Sequence, residues 1–402
     1  METKGLIFRG LKKGVGKMKR KMLGMFLATV LMFGTFDVTY GATIENTVTT
    51  QSTSTTIVKS GECGENVIYT LDSNGLLKIS GSGNMNDYYI GNSPFYLNKD
   101  IKEIVIGDGV TSIGDCAFWG CSSLTSIEIS DGVTSIGMSV FDSCSSLTSI
   151  EIPNSVKVIE KQAFYKCKKL EKVKLGNNVE TIGNSAFQTT NIKNVKIPNS
   201  VKAMGVAAFD SDKTKINVEI PGNITVDKAH WISVCNAGKI TFTTDLNIEL
   251  IQHLEAEDFE VSKNDPNYTS IDGNIYTKDG KTLVRVAALK KNVRIVDGCE
   301  NICTSAFLYT PLGLNWEAKL RKHIDNLFIP KTVKNIDEKS YITYESEPEK
   351  ITSEERAKVQ KGAVTINNIQ IENKNFDVNI LSKLLDKVTC NKDEVLKQLT
   401  AK

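Results

Sequence analysis

Nine cysteines and three histidines are the residues of this 402-residue chain best suited to nucleophilic or metal chemistry. A thiolate beside an imidazole would make a covalent catalyst, and clustered thiols and imidazoles would hold zinc. Their spacing favours neither. Cys63, Cys116, Cys235, Cys299, Cys303 and Cys390 are scattered, no C-x-x-C pair occurs, and His230, His253 and His323 lie far apart. H-E-x-x-H, G-x-S-x-G and G-x-x-x-x-G-K-[ST] motifs are absent. "TKDGK" at 277–281 lacks the spaced acids of a calcium loop and reads as a hairpin turn. No cofactor or metal is expected. A cysteine and a histidine brought together by folding, as a thiol or metal site of a secreted enzyme within residues 222–341, is the catalytic alternative. Cys121, Cys144 and Cys167 are different, because they stand 23 residues apart.

That interval is the period of the chain. Val110, Val133, Val156 and Val179 repeat at 23 residues, and Val201 comes one residue early. Apolar residues recur at fixed offsets from each valine: Ile113, Ile136, Ile159, Ile182 and Met204; Phe118, Phe141, Phe164, Phe187 and Phe209; Leu124, Leu147, Leu170 and Ile192. A self-similar period of this length predicts a solenoid, each repeat being one coil. One coil cannot bury its own apolar face or satisfy its own backbone, so coils must stack. "LTSIEI" alternates inward Ile127 and Ile129 with outward Ser126 and Glu128, which predicts a short strand. Pro153, Pro198, Pro221 and Pro330 follow the last inward residue, where the missing N–H ends pairing. "IGDCAFWGC" is expected to form a helical or 3₁₀ turn on the far side. The three periodic cysteines become small buried side chains one coil apart, within disulfide reach of one another.

Stacked strands leave two outward columns. One runs Glu103, Ser126, Ser149, Lys172, Asn194, Asn217; the other runs Val105, Glu128, Glu151, Lys174, Lys196, Glu219. Glutamates give way to lysines over adjacent coils, so the face is zoned in charge and could dock an oppositely zoned protein. The candidate ligand-binding residues are Ser126, Glu128, Ser149, Glu151, Lys172, Lys174, Asn194 and Lys196. The competing reading is that these positions are merely solvated. Trp119, beside Phe118, is a candidate exposed anchor on the opposite side.

L-x-x-I-x-I followed by V-x-x-I-x-x-x-A-F-x-x-C resembles the repeat of the BspA-like bacterial leucine-rich repeat surface protein family. Gly132 and Ser155 stand where ordinary leucine-rich repeats carry an asparagine, a departure that fits the BspA-like variant. "GECGENVIYTLDSNGLLKISGSGNM" is similar to the module that precedes such arrays, and "FEVSKNDPNYTSIDGNIYTKDGKTLV" to the insert that interrupts them; the resemblance covers about residues 61 to 341. It implies a leucine-rich repeat solenoid, an α/β repeat with one short parallel strand per coil and a concave sheet face. It also implies adhesion or interaction at a cell surface.

The ends complete the organisation. Lys17, Lys19, Arg20 and Lys21 precede the apolar run Met22–Phe36 and the small residues of "TYGA" at 39–42, a secretory signal with its true start at Met1 or Met18. The run is short for a membrane span, so contact with the membrane is expected only in transit; a retained anchor is the alternative. Without residues 1–41 the chain has 41 basic and 45 acidic residues, net −4, and no basic cluster for nucleic acid. The expected organisation is a signal peptide at 1–41, a Ser/Thr-rich linker at 42–60, a β-hairpin cap at 61–92 and repeats over 93–341 with an irregular insert at 222–298. A helical segment follows at 342–402. In that segment "SEERAKVQK" reads as helix, Val378, Leu381, Leu384, Leu385 and Val388 share one helical face, and "NKDE" at 391–394 resembles a capping box. The expected function is that of an exported, non-catalytic binding protein whose partner is a protein or glycoprotein on a host or bacterial surface. A structural spacer presenting the C-terminal segment is a further alternative.

Overall fold

The computed structural model describes residues 55–205, 207–211, 215–224, 234–287, 290–307, 322–337, 364–386, 388 and 390–400. The expected signal peptide, most of the expected linker and "SEERAKVQK" lie outside them.

Among the described residues the chain is a solenoid. Its L-x-x-I-x-I segments form parallel strands at Glu103–Ile106, Ser126–Ile129, Ser149–Glu151, Lys172–Lys174, Asn194–Lys196 and Asn217–Ile220. Equivalent residues face each other across coils, as with Ile104 and Ile127 or Val195 and Val218. Val234–Phe242 and Leu254–Glu260 continue this ladder in parallel, with a register shift between Val234 and Ala237, inside the stretch expected to be irregular. The V-x-x-I segments add a second parallel ladder through Gly83–Asn84, Val110–Ile113, Ser135–Ile136, Val158–Ile159, Thr181–Ile182 and Ala203–Met204.

The far side is not helical in these coils. Cys116, Ser139 and Gln162 adopt left-handed backbone conformations, with φ of 52°, 50° and 59°. Four residues on, Gly120, Ser143 and Lys166 do the same, at 73°, 61° and 56°. Such angles cost about 1–2 kcal/mol for a side chain with Cβ. Each of these residues donates its N–H to the next coil: Cys116 to the Met138 carbonyl at 2.8 Å, Ser143 to the Tyr165 carbonyl at 2.8 Å, Lys166 to the Gln188 carbonyl at 3.0 Å. A helix would turn its N–H groups along its own axis and leave neighbouring coils unjoined. The left-handed residues turn them along the solenoid, and the hydrogen bonds offset the strain.

The interior is a column of rings. Phe95, Phe118, Phe141, Phe164, Phe187 and Phe209 stack in series with centroids 5.0–5.4 Å apart. Cys121, Cys144 and Cys167 form a parallel column, fully buried, and are free thiols. Each donates to a carbonyl of the preceding coil: Cys121 to Phe95 at 3.3 Å, Cys144 to Phe118 at 3.3 Å, Cys167 to Phe141 at 3.1 Å. The proximity that suggested disulfides instead satisfies the thiols one by one.

At the head of the array β1 (Ile57–Gly64), β2 (Val67–Asp72) and β3 (Leu76–Gly81) pair antiparallel, and β3 joins the first coil in parallel. Residues 57–60, expected in the linker, are the start of β1. Tyr69 of β2 closes the ring column edge-on against Phe95, at 4.7 Å.

A second hydrophobic core begins at Tyr276. Between the two cores stands an antiparallel set, Tyr268–Ile271, Asn274–Thr277 and Thr282–Arg285, whose last strand pairs in parallel with Asn301–Cys303. Ile275 and Val284 belong to the first core, Tyr276 and Leu283 to the second. Beyond it the strands Asn292–Arg294, Lys322–Ile329 and Val364–Ile371 form one ladder, and Asn301–Cys303 with Asn335–Asp337 the other.

The helices α1 (Val378–Leu385) and α2 (Lys392–Thr400) close the far end. Leu381, Leu384, Leu385 and Val388 are buried as their spacing predicts, whereas Val378 is exposed. The Asn391 side-chain oxygen accepts from the Glu394 N–H at 3.4 Å, and its amide donates to the Glu394 carboxylate at 3.0 Å. Gln398 acts as a substitute strand: its amide donates to the Ile369 carbonyl at 2.7 Å and accepts from the Ile371 N–H at 3.3 Å.

Candidate functional site

Several buried thiols among the described residues are held in the protonated form. Burial pushes Cys63 and Cys121 up to about 12 and Cys299 up to about 11, and raises Cys144 and Cys167 still further. Thiols held so high stay protonated, and the thiolate is the reactive form. His323 is exposed and makes no hydrogen bond to a cysteine, and no group of three metal-ligating side chains occurs among the described residues. His230 and the side chains of Cys235 and His253 lie outside the description. Trp119 is half-buried; it stacks on Tyr96 at 5.2 Å, and its indole interacts with the buried Asp142 carboxylate. It is a packed residue more than a free anchor.

The strand face of the first array carries the polar surface. Ser126, Glu128, Ser149, Glu151, Lys172, Lys174, Asn194 and Lys196 are all exposed there. The alternation of the strands puts their neighbours Ile150, Val195 and Ile197 into the core, and parallel register stacks like positions in columns. Part of the charge zoning is neutralised between coils. Lys174 pairs with Glu151, Lys196 lies 4.0 Å from Glu219, and Lys239 lies 2.5 Å from Glu260. The Lys239 hydrogen bond holds the Glu260 carboxyl below its ordinary range. Exposed pairs of this kind contribute about 0–1 kcal/mol each. Glu128 and Lys172 make no ion pair among the described residues, so their charges stay available. Asn217 donates to the Asn194 side-chain oxygen at 3.1 Å, which starts a row of amides.

The second array's strand face is different, and no residue of it was singled out from sequence. Asn326 donates to Asn292 at 2.7 Å, and Asn368 donates to Asn326 at 3.1 Å. Beside this row, Arg294 lays its guanidinium over the Phe328 ring, 3.8 Å from the centroid. The recurrence of Asn before each inward residue in "NVR", "NLF" and "NIQ" is the signal that could have revealed the row.

The family profile described as "BspA type Leucine rich repeat region" matches in six copies over residues 88–217 and 134–253. The match begins and ends inside the stretch of resemblance read from the sequence. No curated protein matches. Among solved structures, a leucine-rich repeat protein from Eubacterium ventriosum is 23% identical, covering 69% of this chain and 68% of its own, with a TM-score of 0.35. A leucine-rich cell surface protein from Faecalibacterium prausnitzii is 18% identical, covering 81% of this chain and 97% of its own, with a TM-score of 0.37.

Proposed function

We propose that this chain, whose residues 88–253 are a BspA-type leucine-rich repeat region, is an exported, non-catalytic binding protein acting at a cell surface. The observation that carries the reading is the strand face of the first array. Eight exposed polar side chains sit on a backbone that is hydrogen-bonded from coil to coil, so their spacing is set before any partner arrives. Pre-organised groups lose little entropy on binding. The partner this favours is a protein or glycoprotein with charges opposite to Glu128 and Lys172. The C-terminal helices are best read as a cap, because α2 supplies the hydrogen-bond partner that a following coil would otherwise supply.

Solid-phase binding of the purified chain to immobilised extracellular-matrix proteins and surface glycoproteins tests this. Retention of at least one partner at micromolar concentration is expected, with loss in a variant combining Glu128→Ala and Lys172→Ala. Retention of none would end the proposal.

A further inference from the structure

The second array's strand face points to a specific chemistry. Arg294 is exposed and has no carboxylate partner among the described residues. Its guanidinium is not loose, since the plane is held against the half-buried Phe328 ring at 3.8 Å. A guanidinium fixed by its face presents its N–H edge, and that edge matches both oxygens of a carboxylate. Asn292, Asn326 and Asn368 stand in register one outward position away, linked by amide hydrogen bonds at 2.7 and 3.1 Å. The links leave further amide protons and lone pairs for a ligand. Lys291 is exposed with no ion pair among the described residues, and the half-buried Asp325 carboxylate accepts from the Asn367 amide at 3.2 Å. Arg294 and Lys291 together outweigh the single carboxylate of Asp325, so these side chains leave the face net positive.

We infer that Arg294, Phe328 and the Asn292–Asn326–Asn368 row form a site for an Asp- or Glu-bearing segment of a protein partner. The ring face that could stack on a sugar is taken by the guanidinium, which favours a protein over an acidic glycan. Aromatic and arginine anchors bordered by adaptable amides are typical of protein recognition. The site rests on the reading of the chain as a binding protein, but it lies on a different array from the eight residues above.

The test uses the full chain on an array of acidic synthetic peptides, their Asn/Gln counterparts and uronic-acid oligosaccharides. Acidic peptides should be retained and their amide counterparts should not. Arg294→Ala should weaken retention roughly 10- to 100-fold. Arg294→Lys should restore only a small part, because an ammonium lacks the fork, and Phe328→Leu should weaken retention by releasing the guanidinium from its plane. Thermal melting of each variant controls for folding. Equal retention by Arg294→Ala, no preference for acidic peptides, or capture of uronic-acid oligosaccharides alone would overturn the inference. The Glu128→Ala, Lys172→Ala variant should keep its peptide binding. A chain that holds matrix proteins through the first array yet ignores acidic peptides would refute this site and leave the broader function standing.

Discussion

Two antiparallel hairpins head the two arrays, and they bury different faces. In β2, Val67, Tyr69 and Leu71 point inward while Ile68 between them is half exposed. In the internal hairpin, Ile275 and Tyr276 are consecutive and both fully buried, as are Leu283 and Val284. The first hairpin has a core on one side and solvent on the other. The second has a core on each side, so it ends one array and begins the next. A segment that looks like an interruption of the repeat is a wall shared by two cores. The same pairing pattern gives a lid or a wall according to whether one residue in two is apolar, or nearly every one.

The contrast can be broken most directly at the wall. Ile275→Ala and Leu283→Ala remove side chains from opposite faces, and each should cost about 2–5 kcal/mol in chemical denaturation. A cost near zero for either would mean that its face is not a core face.

Alkaline titration sharpens the comparison between the cores. In the unfolded chain a thiol ionises near 9, while burial holds Cys121 of the first core at about 12 and Cys299 of the second at about 11. Raised values contribute stability that is complete below about pH 9 and is lost as pH climbs through the folded values. Stability should therefore fall from pH 9 upward. Cys121→Ala or Cys299→Ala should each flatten the slope by up to about 1.4 kcal/mol per pH unit. The Cys299 effect should end near pH 11 and the Cys121 effect near pH 12, as followed by denaturant midpoints across pH.

Gln398→Ala removes both side-chain hydrogen bonds from the last strand and should cost about 1–2 kcal/mol. Amide exchange should quicken at Ile371 and leave the first array unchanged; equal loosening of both arrays would contradict a local cap. The smallest effect belongs to Ile68→Thr on the outer face of the terminal hairpin, expected within about 0.5 kcal/mol in thermal melts.

The regular part of this architecture was legible because packing repeats in the letters. Phe118, Phe141 and Phe164 announce a column, and Val67, Tyr69 and Leu71 announce a one-faced lid. The left-handed residues were not legible. Cys116, Ser139 and Gln162 share no side-chain chemistry, because the feature that matters is an N–H direction that the backbone supplies. The wall was read as a hairpin but not as a partition, since "NIYT" and "TLVR" do not say how many cores they touch. At the candidate site, exposure of the eight residues followed from alternation. Partial neutralisation by Lys174 with Glu151 required knowing that coils stack without offset. The Arg294 site stayed hidden because its members come from coils separated by long insertions.

The backbone hydrogen bonds that join the coils of the first array run between one coil and its immediate neighbour. Pulled along its axis, such a stack is a chain of links in series that all carry the same tension, and it lengthens stepwise as single links fail. Neighbouring coils sit about 4.8 Å apart, whereas a released 23-residue coil can stretch to about 75–80 Å. The first array is thus a reel: under load it would pay out length in nearly equal increments, lengthening many-fold while the coils not yet reached keep their faces intact.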